Sequence, residues 1–199
     1  MDMPEFFKLL FCALIGYLLG SINSAVIVSK LKGKDIRTVG SGNAGATNIL
    51  RTFGKGAAAV VFLVDILKGV FAALLGKLIG GELGGYLGGF LSIMGHNFPV
   101  YFGFRGGKGI VTSLAVMLTV SPSLALIAFG IGIIIIAATR YVSLGSIIGS
   151  LLFGALAVIR HTDNVPFCIF AALTALLATI RHAGNIKRLL TGTERKLGK

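Results

Sequence analysis

Three polar stretches hold the residue types that could do chemistry on an anion. The first is Gly40-Ser41-Gly42-Asn43-Ala44-Gly45-Ala46-Thr47-Asn48, followed by Arg51. Its glycines let the backbone turn, so that main-chain N–H groups and short hydroxyl and amide side chains can face a phosphate, as nests and helix N-termini do. An ordinary connection between two helices fits the same composition equally well. The second stretch is Gly95-His96-Asn97-Phe98-Pro99, then Phe104-Arg105-Gly106-Gly107-Lys108-Gly109, with Thr112 and Ser113 beyond. Gly-Gly-Lys-Gly ahead of a helix suggests a phosphate loop but departs from G-x-x-x-x-G-K-[ST], because position 102 is Phe and Gly follows the Lys. No strand leads into it. Nucleotide hydrolysis is disfavoured, while phosphate binding by Arg105, Lys108 and the amides of Gly106 and Gly107 is in keeping with the residue types. The third stretch runs from Arg181 to Glu194. Ile186, Leu189 and Leu190 give it an apolar side suited to an interfacial helix. A basic tail explains its cations but does not require His182 and Asn185, which at i and i+3 share one helical face.

The rest of the chain must hold these stretches, and its composition says in what solvent. Of 199 residues, 55% are hydrophobic and 13% are charged, about half the roughly 25% of a soluble domain. The apolar residues come in long runs, several approaching the roughly 20 residues that cross a bilayer core. The net charge of +12 raises nucleic-acid binding as a reading. That reading fails, since the basic residues sit between apolar runs and serve better as topology signals and anion ligands. The stretch Met1 to Lys8 is acidic on balance, so the first apolar run is expected to be a retained helix and not a cleaved leader. Cys12 and Cys168 both lie in apolar segments and read as buried thiols.

Seven spans are expected: Phe6 to Ser29, Gly56 to Gly76, Gly84 to Phe102, two from Gly109 to Ala138 split at Ser121-Pro122-Ser123, Val142 to Ile159, and Val165 to Ile180. The first of the split pair is short. With the N-terminus outside and the C-terminus cytoplasmic, fifteen Lys and Arg residues fall inside and three (Lys8, Lys77, Arg160) outside, with Lys68 within a span. That asymmetry follows the positive-inside rule. Five full spans remain an alternative if the third and fourth segments are re-entrant. The fold class is therefore all-α and polytopic, a single domain over residues 1–199. Gly16 and Gly20, and the glycines between Gly81 and Gly89, are expected to let helices approach closely.

Asp65 and Lys68 lie three residues apart inside the second span. Intramembrane charges are costly and point to function by default, but these two can neutralise each other, which favours a structural pair. His161 and Asp163 fall on the outer side and read as loop residues.

Taken together, the three stretches resemble the bacterial acyl-phosphate-dependent glycerol-3-phosphate acyltransferase family. The resemblance runs from Leu19-Gly20-Ser21-Ile22 to Gly192-Thr193-Glu194. It is strongest in Gly-Ser-Gly-Asn-Ala-Gly-Ala-Thr-Asn, in Gly-His-Asn-Phe-Pro through Gly-Gly-Lys-Gly, and in His182-x-x-Asn185-x-x-Arg188-Leu-Leu-x-Gly-x-Glu194. It implies transfer of the acyl group of an acyl phosphate to the 1-hydroxyl of glycerol 3-phosphate, giving lysophosphatidate and phosphate, the first acylation of phospholipid synthesis. It also implies that the first and third stretches build the catalytic site and that the second mainly holds glycerol 3-phosphate.

The chemistry agrees with that implication. The substrates together carry about four negative charges near neutral pH, and Arg51, Arg105, Lys108, Arg181 and Arg188 can offset them. His182 is the candidate general base with Asn185 orienting it or the substrate, the substrate's own phosphate being the rival base. Ser41 is a candidate nucleophile or, more simply, a binding hydroxyl. The anion-binding set is Ser41, Gly42, Asn43, Gly45, Thr47, Asn48, Arg51, His96, Asn97, Arg105, Gly106, Gly107, Lys108, Arg188 and Glu194. No metal and no cofactor is expected. The H-x-x-x-x-D signature is absent after His96, His161 and His182, which speaks against acyl-CoA or acyl-carrier-protein chemistry of that kind. The expected location is the bacterial inner membrane, in contact with lipid, with the site facing the cytoplasm. The rival from another class is an organophosphate transporter, which requires polar residues deep in several spans and a path to both faces.

Overall fold

The computed structural model describes residues 4–198, so the first three residues of the acidic N-terminal stretch and Lys199 of the basic tail lie outside the described residues. Among the described residues every regular element is helical: α1 (Glu5–Ser21), α2 (Ser24–Leu31), α3 (Ala46–Asn97), α4 (Ile110–Val120), α5 (Pro122–Thr139), α6 (Val142–Arg160), α7 (Val165–Arg181) and α8 (Ala183–Leu190), with single 3₁₀ turns at Ile36–Thr38 and Val100–Phe102. Packing divides the chain into two compact units, Met1–Val120 and Ser121–Lys199.

The solvent these helices expect is legible in what they hide. Large apolar side chains face outward along their length, with Phe6 70%, Leu78 81% and Ile134 68% exposed, while Ser21, Asn23, Ser24, Asp65, Lys68, Ser92, His96 and Asn97 are buried. A water-soluble bundle would reverse that pattern. Among the described residues, four helical runs are long and apolar enough to cross a membrane, and five if the pair α7 and α8, bent by 58°, counts as one.

In the first unit the run Ala46–Phe102 is 57 residues long, about 85 Å at 1.5 Å per residue against a hydrocarbon core of roughly 30 Å. It does not run straight. Gly80 and Gly81 leave helical geometry, Gly81 with φ 62°, and the chain turns back on itself. Gly84 then lies against the backbone of Gly76, and Gly88 against the carbonyl of Ala72. This antiparallel hairpin contains the expected second and third spans. A further break at Gly54, φ 83°, separates the first turns of α3 from its long limb. α1 lies on the returning limb with backbones almost touching: a Cβ on Gly16 would overlap Gly88, and one on Gly20 would overlap Ser92. These are the small-residue faces anticipated from the sequence, and they bring backbones together where lipid supplies no hydrophobic drive between helices. α4, the short fourth segment, has 11 residues, about 16 Å, and cannot cross the core alone. Gly69 is the seat on which its Thr112 carbonyl rests.

In the second unit α5 and α6 form an antiparallel pair, Gly132 against Gly145 and Gly149 against the Ala128 carbonyl. Gly154 of α6 meets Ala171 and Ala175 of α7. The turn at Arg140 is tied to the tail, since Leu197 N–H donates to the Arg140 carbonyl at 2.7 Å and the Arg140 guanidinium donates back to the Leu197 carbonyl.

The hairpin contact gives a direct test. Gly84→Leu sets a side chain against the Gly76 backbone, and overpacking typically costs about 1–3 kcal/mol. It should lower the thermal midpoint of the detergent-solubilised protein. Gly130→Ala, where a Cβ meets nothing within 4 Å, should leave the midpoint unchanged or slightly raised.

Candidate functional site

The first polar stretch is a loop whose shape is fixed by one buried amide. Asn48, in the first turn of α3, is 1% exposed. It donates both its amide hydrogens inside the loop, to the carbonyls of Ile36 (3.2 Å) and Val39 (3.0 Å), and accepts from the Ser41 N–H at 3.0 Å. Both Asn48 donors are thus committed to holding the loop. The turns between them use Gly40 and Gly42, with φ of 64° and 70°, a region only glycine enters freely. Ser41 and Arg51 reach the surface, Asn43 and Thr47 are half-buried, and α3 starts at Ala46 with Gly45 as its cap and no side chain capping it. A helix N-terminus without a side-chain cap presents main-chain N–H groups to an anion.

The approach to this loop is clamped by a pair the sequence reading passed over. Arg37 donates to Asp35 through Nη2 (2.7 Å) and Nε (3.0 Å), and through Nη1 to the Phe102 carbonyl at 2.8 Å. The Arg37 hydrogen bonds hold the Asp35 carboxyl down at about 2, against an ordinary 3.8, while the same bonds raise the Arg37 guanidinium. The signal in the sequence was Asp-x-Arg just ahead of the glycine loop.

The second stretch follows the hairpin. α3 ends at Asn97, and the chain returns past its own end: Gly106 N–H donates to the Asn97 carbonyl and Gly107 N–H to the His96 carbonyl, both at 3.2 Å. Gly106 and Gly107 are glycines for want of space, because a Cβ on Gly106 would overlap the His96 carbonyl and one on Gly107 would overlap His96 Nε2 and the Ala44 carbonyl. Ala44 belongs to the first stretch, so the two loops abut at Gly107. Arg105 is exposed and Lys108 half-buried. Asn97 is fully buried with neither end of its amide hydrogen-bonded to the described residues, and the Thr112 hydroxyl is in the same position. Buried polar atoms are nearly always satisfied, so this is polar capacity flanking the loop, at the end of α3 and the start of α4.

His96 is tied to the intramembrane charges. Lys68 Nζ lies 2.8 Å from Asp65 Oδ1, 2.8 Å from His96 Nδ1 and 3.0 Å from the Ile22 carbonyl. Asp65 also accepts from Ser24 Oγ at 3.0 Å. The pair expected between Asp65 and Lys68 is present, and it extends through His96 to the second loop.

In the second unit, the bend between α7 and α8 falls at His182, so His182 and Asn185 do not lie on one continuous helix. Both are nevertheless buried, at 3% and 7%. His182 Nδ1 is 2.7 Å from the Ala178 carbonyl. A carbonyl only accepts, so Nδ1 carries the hydrogen, and in the neutral ring the lone pair sits on Nε2. Asn185 Nδ2 donates to Glu194 at 2.6 Å, Arg188 Nε at 2.7 Å and Ser143 Oγ at 2.8 Å. Burial pushes the Glu194 carboxyl up, but the bonds from Asn185, Ser143 and Arg188 outweigh it and leave it below its ordinary value. A carboxylate repels phosphate, and here its oxygens fix Asn185 and Arg188. Ser143, at the start of α6, was not singled out from the sequence, because nothing local marks a serine that closes on a residue 51 positions later.

Comparison with known proteins gives one consistent answer. Residues 10–192 match the model of the family described as glycerol-3-phosphate acyltransferase. A protein of that name from Thermoanaerobacter pseudethanolicus is 54% identical over 187 residues, covering 94% of each chain, and one from Clostridioides difficile is 44% identical over 98% of each. Among solved structures, the glycerol 3-phosphate form of PlsY (YgiH), an integral membrane glycerol 3-phosphate acyltransferase, superposes with a TM-score of 0.90 at 42% identity, covering 96% of both chains. Its lysophosphatidic acid form gives 0.87 at 41%, covering 96% of this chain and 95% of that one.

Two outcomes follow from these bonds. Glu194→Ala frees Asn185 and Arg188, and a misplacement of this kind costs about 100-fold in rate, to be read as turnover of the purified protein. Asp35 has a depressed folded value, so its contribution is complete above pH 3.8 and disappears as pH falls toward about 2. The unfolding midpoints of wild type and Asp35→Asn should therefore differ at pH 5 and converge on acidification through that window.

Proposed function

Since the chain belongs to the glycerol-3-phosphate acyltransferase family, we propose that its acyl donor is an acyl phosphate and its acceptor the 1-hydroxyl of glycerol 3-phosphate. The hydroxyl oxygen attacks the acyl carbonyl carbon, the bond from that carbon to the phosphate oxygen breaks, and inorganic phosphate leaves. The products are 1-acylglycerol 3-phosphate and phosphate. The donor is already activated, so no covalent acyl-enzyme is needed and Ser41 serves as a binding hydroxyl. Neither acyl-CoA nor acyl-carrier protein takes part. The chain works as one catalytic domain over residues 1–199, without metal or cofactor.

The observation that carries the base assignment is the bond of His182 Nδ1 to the Ala178 carbonyl, which directs the basic lone pair to Nε2, where it can take the hydroxyl proton. Asn185, held by Glu194, orients that ring or the acceptor. The phosphates are held by Ser41, Arg51, Arg105, Lys108 and Arg188, with amides from Gly42, Gly45, Gly106 and Gly107 and the side chains of Asn43, Thr47, His96 and Asn97. Asn48 contributes by holding the Ser41 amide in place. Seven apolar segments, with α4 crossing only together with the residues on either side of it, put the N-terminus outside and the C-terminus in the cytoplasm. The fifteen-to-three division of basic residues supports that orientation, in the bacterial inner membrane and with the polar loops on the cytoplasmic side.

The test is phosphate release from palmitoyl phosphate by the purified protein in lipid mesophase. Release should require glycerol 3-phosphate and be matched by lysophosphatidate. Lys108→Ala and His182→Ala should each lose about 100-fold or more, the range of one general base or one charged contact. Transfer from acyl-CoA at a comparable rate, with palmitoyl phosphate inert, would overturn the donor assignment. Wild-type activity in His182→Ala would hand the proton to the substrate's own phosphate.

A further inference from the structure

The groups around Lys68 define more than a salt bridge. An ammonium has three hydrogens, and Lys68 Nζ has three acceptors in range: Asp65 Oδ1 at 2.8 Å, the Ile22 carbonyl at 3.0 Å and His96 Nδ1 at 2.8 Å. The side chains of Asp65, Lys68 and His96 are each 5% exposed or less. The third contact restricts His96, whose Nδ1 also lies 3.5 Å from Asp65 Oδ1, beyond the range of a good hydrogen bond. If Nδ1 carried a hydrogen it would point at an ammonium 2.8 Å away, donor against donor. A doubly protonated ring would also leave the buried cluster with a net positive charge, which is strongly unfavourable. With Lys68 charged, the arrangement that satisfies every group has Asp65 ionised and His96 neutral with its Nδ1 lone pair accepting.

The hydrogen of that neutral ring must then sit on Nε2. This is the edge that faces the second loop, where a Cβ on Gly107 would meet both His96 Nε2 and the Ala44 carbonyl. With the Ala44 carbonyl on the same side of Gly107, an N–H on Nε2 is favoured there over a second lone pair. The arrangement is opposite to that of His182, whose Nδ1–H on the Ala178 carbonyl leaves Nε2 as the acceptor.

We propose that Asp65 and Lys68 are positioning residues that lock His96 in the Nε2–H tautomer, so that His96 acts as a fixed hydrogen-bond donor where the first and second loops abut and takes no part as a base. The lock stands on the geometry alone. Its value to turnover rests on the acyltransfer reading above.

The experiment is nitrogen NMR of the full-length protein labelled with ¹⁵N in its histidine rings, in detergent or bilayers at neutral pH, with the His96 signals assigned by their loss in His96→Gln. Nε2 should be protonated and Nδ1 bare. A protonated Nδ1, or a doubly protonated ring, overturns the proposal. In the doubly neutral variant Asp65→Asn, Lys68→Met the ring should redistribute between both tautomers, and an unchanged spectrum would show that the pair is not the lock. If that variant does not fold, the wild-type spectrum still decides the tautomer. Turnover provides the second arm. Glutamine sets an N–H₂ near the Nε2 position and asparagine sets its amide near Nδ1, so His96→Gln should retain at least about ten-fold more kcat than His96→Asn, the worth of one hydrogen bond to a charged or committed group. Equal loss in the two would overturn the donor role while leaving the tautomer result standing. A wild-type protein without acyltransfer activity would sink the functional reading and not the lock.

Discussion

Helices in lipid gain little from hiding apolar surface, because the surroundings are as apolar as the side chains. What holds the first unit together is backbone lying on backbone: Gly16 on Gly88, Gly20 on Ser92, Gly76 on Gly84. The buried polar cluster around Lys68 depends on that closeness. The end of α1 reaches Lys68 through the Ile22 carbonyl only because the helices below it are not spaced by side chains. Ser24 meets Asp65 for the same reason. A single methyl in the seam would move a carbonyl that a buried ammonium relies on.

The two histidines show how the same side chain is given opposite tasks by a neighbour four residues away or one 28 residues away. At His182 the partner is a carbonyl of the preceding turn, which can only accept, and the ring turns its lone pair outward. At His96 the partner is a cation, which can only donate, and the ring turns its hydrogen outward. Neither choice depends on the histidine itself. Both are set by whichever group fills the Nδ1 side.

Much of this could be read from the amino-acid chain, and the parts that could not have a common cause. The apolar runs, the small-residue faces at Gly16, Gly20 and Gly84, the short segment from Ile110 to Val120 and the Asp65–Lys68 pair are local patterns, and the structure has each of them. The reading of Asn48 as an anion ligand missed that its amide is committed to Ile36 and Val39. The reading of Glu194 as part of the phosphate set missed that three donors already converge on it. Likewise, His96 and Lys68 are 28 residues apart, and only the reversal at Gly80 and Gly81 makes them neighbours. Residue type and spacing along one helix announce chemistry; which of two polar residues touches the ligand and which props the other is decided by contacts across a hairpin.

The placement of Asp65 and Lys68 on one turn of one helix has a consequence for biogenesis. A lone Asp or Lys at the centre of a segment costs about 2.5–3.5 kcal/mol when that segment partitions from the insertion machinery into lipid. Three residues apart and 2.8 Å from each other, the two enter as one neutral dipole, with their attraction available as soon as that turn winds. The segment therefore does not have to wait for its histidine, which emerges later from the ribosome on the returning limb. The buried charge is assembled in two stages, the first self-sufficient within a single nascent helix and the second completed when the hairpin closes.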